Sequence, residues 1–230
     1  MAKYKIFNHS SEKMPELDDD SIDLAITDPP FNVGSTFGEK VDNEPHETYI
    51  QMIRNIISQT SRVLKPSGLA LMLVPKKVQK DGETYEYPEI YSTLCKESGL
   101  ILLNSFQYNI KEKDYTPSAD NWDEIDPTKK HHSQEIVGLV FSKTKQKIKI
   151  FSPKTLYQYE ERDGHPCPFP PRLVEDILNT YFNPNDTVLD SFMGTASLGV
   201  EVLRRGGTFF GYEIDKGFYK TAYKELERIG

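Results

Sequence analysis

Apolar residues recur along this chain in two patterns, short continuous runs and helical faces, and the two alternate. Residues 4–7, 22–27, 69–74, 99–108, 135–142, 187–190 and 208–215 carry runs such as Leu24-Ala25-Ile26 and Val188-Leu189. These are too short for helices and apolar enough for strands covered on both faces. Residues 46–64 instead set Tyr49, Met52, Ile53, Ile56, Ile57 and Val63 on one helical face. Lys65-Pro66-Ser67-Gly68 follows, with Pro and Gly in positions that stop a helix. Further helices are predicted over residues 10–17, 87–98, 171–181, 198–205 and 217–228. Strands alternating with helices predict an α/β fold, doubly wound about a mostly parallel sheet.

Three stretches fit neither pattern. Residues 31–45, with Gly34 and Gly38, read as a mobile loop. Residues 109–133 have almost no periodicity and hold the only tryptophan, Trp122; a loop of that length inside a compact domain is usually functional or disordered. In residues 143–164, Lys143, Lys145, Lys147 and Lys149 fall on alternate positions, which an extended segment would turn to one side. The organisation expected is one domain over residues 1–230 with inserts at 109–133 and 143–164.

Composition narrows the class. In 230 residues, 37% hydrophobic and 27% charged content suits a soluble globular protein. No apolar run approaches the roughly 20 residues of a membrane span, and the N-terminus carries no signal-peptide pattern. Cys95 and Cys167 lie far apart in no metal-ligand spacing, so neither a disulfide nor a metal site is expected, and the compartment reads as reducing and cytoplasmic. The net charge of −7 does not advertise a polyanion partner. Its distribution does: residues 75–154 carry 13 basic against 12 acidic side chains, while the remainder carries −8. A polyanion would meet the middle of the chain, where Lys76, Lys77, Lys80, Lys111, Lys113, Lys129 and Lys130 join the 143–149 lysines.

Two strand ends carry candidate chemistry. The strand at 22–27 runs into Asp28-Pro29-Pro30-Phe31. The prolines cannot continue the hydrogen-bond ladder. They leave a carboxylate, proline-fixed carbonyls and an aromatic ring where open α/β sheets bind ligands. Such a mouth can accept from an amino group and stack a planar ring. The second is the strand ending at Asp190, followed by the small-residue turn Ser191-Phe192-Met193-Gly194-Thr195-Ala196-Ser197, a helix, and a strand bearing Glu213. This is the pattern of a nucleoside-binding half, with an acid placed for ribose hydroxyls. It lacks the Gly-x-Gly-x-x-Gly spacing of dinucleotide sites and the lysine of a phosphate loop, which leaves a nucleoside without phosphates.

Together these motifs resemble the β subgroup of S-adenosylmethionine-dependent DNA amino-methyltransferases, the adenine-N6 and cytosine-N4 enzymes of restriction–modification type. Thr27-Asp28-Pro29-Pro30-Phe31-Asn32 is similar to their Asp-Pro-Pro-Tyr/Phe catalytic motif, and Asp190-Ser191-Phe192-Met193-Gly194-Thr195 to their Asp-x-Phe-x-Gly-Ser/Thr cofactor motif, in that order along the chain. Residues 62–68, 134–143 and His165-Pro166 resemble the weaker motifs in their expected places. The resemblance implies a seven-stranded sheet with one antiparallel strand. It implies catalysis by Asp28, Pro29, Pro30 and Phe31, and S-adenosylmethionine held by Asp28, His165, Asp190, Phe192, Gly194, Thr195, Ser197 and Glu213. It implies double-stranded DNA as partner with the target base flipped out, the lysines above and both inserts contacting that DNA. A homodimer and a cognate restriction endonuclease are partners it leaves open. Departures from the pattern are Ala196 in place of a second glycine, Asn8-His9 in place of a Gly-Asp pair, and Cys167-Pro168-Phe169-Pro170 where adenine enzymes carry Thr-Gln-Lys-Pro. Asp28 favours adenine as target and Phe169-Pro170 favours cytosine-N4. A non-catalytic or RNA-directed module of the same fold is a further alternative.

Overall fold

Strand-forming runs and helical faces become a three-layered sandwich in the computed structural model, which describes residues 3–37, 40–111, 134–154, 156–158 and 169–229. The chain runs β1 (Tyr4–Phe7), β2 (Ile22–Thr27), β3 (Thr36–Phe37), β4 (Lys40–Val41), α1 (His46–Val63), β5 (Leu64–Pro75), β6 (Val78–Lys80), β7 (Glu83–Tyr85), α2 (Tyr87–Glu97), β8 (Ile101–Lys111), β9 (Gln134–Ser142), β10 (Leu156–Gln158), α3 (Pro171–Tyr181), β11 (Thr187–Asp190), α4 (Ser197–Arg204), β12 (Thr208–Tyr212) and α5 (Lys216–Glu227). The main sheet has the order β1-β12-β11-β2-β5-β9-β8-β10. Every neighbouring pair is parallel except those made by β9, which runs against β5 and β8. The single antiparallel strand matches expectation. The sheet has eight strands rather than seven, because part of the 143–164 stretch returns as β10 along β8.

Each face of the sheet has its own core. On one side Leu24, Ile26 and Val188 pack with Leu173, Ile177, Leu198 and Leu226 of α3, α4 and α5. On the other, Ala25, Ala70, Met72 and Leu189 pack with Tyr49, Ile53, Ile57, Tyr91 and Leu94 of α1 and α2. Alternating residues of one strand thus serve opposite cores, as period two requires. Full burial of each leucine, isoleucine, valine or methionine among them contributes about 1.5–3 kcal/mol.

Several local expectations are corrected. Residues 10–17 form turns, not a helix, although Met14 and Leu17 are buried; Pro15 lacks the N–H and disfavours a helical residue before it. The 31–45 stretch contains the β3–β4 hairpin. Residues 78–85 form the β6–β7 hairpin, whose two-residue turn Asp81-Gly82 has φ of 53° and 82°. That turn type demands a left-handed pair, which Asp-Gly supplies. Helix α1 ends at Val63 and β5 begins at once, with residues 65–68 bulged between the Ile22–Leu64 and Leu24–Leu69 pairs. A Cβ on Gly68 would stand 2.9 Å from the Ile22 carbonyl oxygen, so only glycine fits. The 143–150 stretch is irregular rather than a strand. β12 stops at Tyr212, and Asp215 caps α5 by accepting from the Gly217 and Phe218 N–H groups at 2.8 Å each.

Candidate active site

From β11 the chain crosses through α4 to β12 on one side, and from β2 through α1 to β5 on the other. The strand order therefore reverses between β2 and β11, where open α/β sheets have a crevice at their carboxyl ends. Asp28 follows β2 and Asp190 ends β11, so the two acidic motifs, far apart in sequence, meet there.

Three carboxyl groups share this crevice. Asp28 keeps an open edge to solvent, yet desolvation and then the Asp190 charge push its pKa up to about 8. Asp190 is buried, and desolvation raises it to about 7 against the Phe192 N–H it accepts at 3.0 Å, with the Glu213 charge adding to the rise. Desolvation likewise raises Glu213 to about 7, although its Oε1 accepts from Asp215 N–H at 2.7 Å and its Oε2 from Gly194 N–H at 3.0 Å. Among the described residues none of the three has a lysine or arginine partner. A crevice whose three acids have no lysine or arginine partner among the described residues suits a cationic ligand.

The turn after β11 is built for close approach. Met193 N–H donates to the Tyr212 carbonyl at 2.9 Å, and Ser11 Oγ donates to the Ser191 carbonyl at 2.9 Å. Gly194, Thr195 and Ala196 are buried, Phe192 half-buried, and Ser197 opens α4. Ala196 stands at φ 62°, ψ 36°, the left-handed position expected of the missing glycine, and accepts that conformation despite its Cβ. Asp190 does not cap α4; it closes its own turn on Phe192. Asn8 replaces the usual pair by stapling β1 to β12, its Nδ2 donating to the Glu213 carbonyl at 2.8 Å, while His9 pairs with Glu16 at 2.9 Å.

In the Asp28–Phe31 segment Pro29 is buried, Pro30 is half-buried, and Phe31 packs against the α3–α5 core. Behind it lie three tyrosines, Tyr49 stacked on Tyr87 and Tyr91 tilted against Tyr87, with the Tyr49 and Tyr91 hydroxyls 2.7 Å apart. Of the residues gripping this segment, Asp42 and Tyr87 were not singled out from the sequence, Asn32 was read only as the last residue of the motif, and Lys80 was read as a polyanion contact. The Asp-Gly turn of the β6–β7 hairpin was the one local signal near them.

The lysines divide. Lys76 pairs with Glu135 at 3.2 Å and Lys77 with Glu86 at 2.8 Å, both past the carboxyl end of β5, the cleft side. Lys80 turns inward to Asn32. Because β9 is antiparallel, it ends at the opposite rim, where Lys143 pairs with Asp20 at 2.6 Å. Thr144 and Gln146 there bond the Pro66 and Ser67 carbonyls. Lys143 and Lys145 therefore stand across the sheet from the cleft, and Lys147 follows on the exposed coil leading away. The side chain of Lys111, and Lys113, Lys129, Lys130 and His165 entirely, lie outside the described residues. Among the described residues no three acidic, histidine or cysteine side chains are placed to hold a metal ion, and no helix is long and apolar enough to cross a membrane.

Residues 22–224 match the family described as DNA methylases, of the N6/N4 type. A type II methyltransferase, M.BglII of Bacillus subtilis, is 27% identical over 250 residues, spanning 96% of this chain and 68% of that protein. The DNA adenine methyltransferase YhdJ of Escherichia coli (strain K12) is 21% identical over 98% of this chain and 83% of its own length. Among solved structures, the PvuII DNA methyltransferase, cytosine-N4-specific, superposes with a TM-score of 0.73 at 19% identity, over 98% of this chain and 89% of that one. The chain belongs to the N6/N4 DNA methylase family and is an S-adenosylmethionine-dependent DNA amino-methyltransferase.

Proposed function

We propose that this methyltransferase modifies the exocyclic amino group of adenine in double-stranded DNA, on a nucleotide flipped out of the helix. The observation that carries the reading is Asp28 at the head of Pro29-Pro30-Phe31, opening on the same crevice as Asp190 and Glu213. Asp190, Phe192, Gly194, Thr195, Ser197 and Glu213 would hold the cofactor, with Asp28 facing it from β2 and His165 reaching it from the segment before α3. When bound, the cofactor supplies a methyl group on a positively charged sulfur, and that charge fits three acids that have no lysine or arginine partner among the described residues. Glu213 can still serve ribose hydroxyls, because a carboxylate accepts about four hydrogen bonds and two are taken by the backbone.

The chain's own residues do the rest. Asp28 and the Pro29 carbonyl accept from the amino group and turn its lone pair toward the incoming methyl. Asp28 stabilises the positive charge that develops on nitrogen and is placed to take the departing proton. Phe31 stacks on the base, and the two prolines keep the carbonyls fixed without a hydrogen-bond ladder to satisfy. Positioning and electrostatics then carry most of the acceleration.

Lys76 and Lys77 are the described lysines on the cleft side that remain candidates for phosphate contact. Lys111, Lys113, Lys129 and Lys130 extend that set through the 109–133 insert. Adenine is favoured over cytosine by Asp28 and by the likeness to an adenine enzyme. Phe169-Pro170, leading into α3, supports cytosine-N4 as the second reading. The test is incubation of the protein with duplex DNA and methyl-labelled cofactor, followed by nucleoside digestion. Label in N6-methyladenine is expected. Label confined to the cytosine fraction overturns the choice of base, and absence of label from both overturns the activity.

A further inference from the structure

Immediately after the catalytic motif the backbone turns left-handed. Asn32 has φ 60° and is 2% exposed. Asparagine enters that region more readily than other side chains with a Cβ, and here its backbone N–H and carbonyl and both ends of its side-chain amide are engaged by its surroundings in holding it there. Its N–H donates to Asp42 Oδ2 at 2.9 Å, and its Nδ2 donates to the Glu44 carbonyl at 2.9 Å. Its side-chain oxygen accepts from Lys80 Nζ at 3.1 Å, and its backbone carbonyl from the same nitrogen at 3.4 Å. One residue upstream, the Phe31 carbonyl accepts from the Tyr87 hydroxyl at 3.3 Å.

Both hairpins serve this grip. The β3–β4 hairpin brings Asp42 and Glu44 back to Asn32 and sets Asn43 beside Lys80. The β6–β7 hairpin carries Lys80 in from the other side. Lys80 Nζ also donates to Asn43 Oδ1 at 3.0 Å. An ammonium has three donors, and all three of these acceptors lie within the loop.

We propose that Lys80 is a positioning residue: with Asp42 it holds Asn32 in its left-handed conformation and so fixes Phe31 and the proline carbonyls at the mouth of the cleft. This replaces the sequence-based expectation that Lys80 contacts DNA phosphate, since its donors are spent inside the loop. The inference rests on reading Asp28-Pro29-Pro30-Phe31 as the catalytic segment. Sub-ångström placement of a stacking ring matters because a misplacement of about 1 Å can cost on the order of 100-fold in rate.

The experiment compares wild type, Lys80→Met, Lys80→Arg, Asn32→Gly and the double variant Asn32→Gly/Lys80→Met. It reads kcat, KM for duplex DNA, the salt dependence of DNA affinity, and cofactor affinity as a check on folding. Lys80→Met is expected to lower kcat about 10- to 100-fold with DNA affinity and its salt slope unchanged. Lys80→Arg keeps the charge but not the three-point geometry, and kcat should fall here too. It carries the comparison if Lys80→Met does not fold. Glycine takes the left-handed conformation unaided. The Met substitution should therefore cost only a few-fold on the Asn32→Gly background, a non-additivity that a purely structural lysine would not give. A wild-type kcat in Lys80→Met with a salt slope lowered by about 1 would mark a phosphate contact and overturn the proposal. Methyl transfer by wild type with additive Lys80 and Asn32 effects would overturn the clamp alone; no transfer by wild type would overturn the reading beneath it.

Discussion

Cofactor binding should release protons. In the free protein burial pushes Asp28 up to about 8 and Asp190 and Glu213 up to about 7, with the Asp190 charge adding to the rise at Asp28, the Glu213 charge at Asp190 and the Asp215 charge at Glu213. At pH 7 a group titrating near 8 is about 0.9 protonated and one near 7 about half, so the crevice holds on the order of two protons. A ligand bearing a sulfonium and an ammonium brings opposite charge among them, which lowers a carboxyl pKa by roughly 1–3 units. Binding at pH 7 should then expel about one to two protons, and at pH 9 close to none. The assay is titration calorimetry in buffers of different ionisation enthalpy; the slope of observed enthalpy against buffer enthalpy counts the protons. S-adenosylhomocysteine, without the sulfonium charge, should release fewer. Folding stability supplies an independent sign. These acids have folded pKa values above their ordinary ones of 3.8 and 4.5, so their contribution is fully present below about pH 4 and is lost progressively as pH rises from there through the folded values of about 7 to 8. Tm of the free protein should carry a downward contribution from these acids between about pH 4 and 8, and saturating cofactor should flatten it. A calorimetric slope of zero at pH 7, or proton uptake, would refute the account of an uncompensated acidic crevice.

Asp28→Ala should lower kcat by at least about 100-fold while leaving fold and DNA affinity close to wild type, read by single-turnover methyl transfer and by duplex binding. Reversing Lys143 and Lys145 to Glu should leave DNA affinity nearly unchanged, because both stand at the rim opposite the cleft. Lys143→Glu should still lower Tm slightly, since it sets a like charge beside Asp20; a large loss of DNA affinity would move the DNA to that rim. Gly68→Ala should destabilise by about 1–3 kcal/mol, several degrees in Tm, as a Cβ there would press on the Ile22 carbonyl oxygen at 2.9 Å. Unchanged Tm would mean the bulge relaxes freely.

What could be read from the sequence, and what could not, follows from where the information lies. Strand cores such as Leu24-Ala25-Ile26 are continuous apolar runs because they are covered on both faces, so they survive without tertiary context. The helical face of α1 does too, to within one residue of its end. The Asp28 and Asp190 motifs stood out because each places an acid at a strand end beside residues that cannot continue the strand. Their meeting depends on the sheet order, which no local pattern encodes. The errors share a cause. The helix expected over residues 10–17 is absent because Pro15 opposes it, while the burial of Met14 and Leu17 comes from tertiary packing. The alternating lysines at 143–149 suggested a strand face, and whether such a face lies near the cleft depends on the direction of β9, a property of its pairing with β5.

Lys80 shows the same limit most sharply. Nothing in Val78-Gln79-Lys80 distinguishes it from Lys76 or Lys77, and all three look like solvated cations on a polar stretch. The Asp81-Gly82 pair did announce a two-residue hairpin, and a hairpin gives its two faces different fates. Lys76 and Lys77 pair with exposed or half-exposed glutamates at the surface, where an ion pair is worth about 0–1 kcal/mol. Lys80 meets two acceptors on a buried asparagine with a left-handed backbone. Removing its charge strands those acceptors, a cost of about 1–3 kcal/mol for a buried group left unpaired. That energy is what keeps the loop from relaxing Asn32 to a right-handed conformation and carrying Phe31 with it. Lysines identical in sequence character thus divide between a surface that can meet phosphate and a clamp that shapes the pocket. The division is made by the turn that aims them.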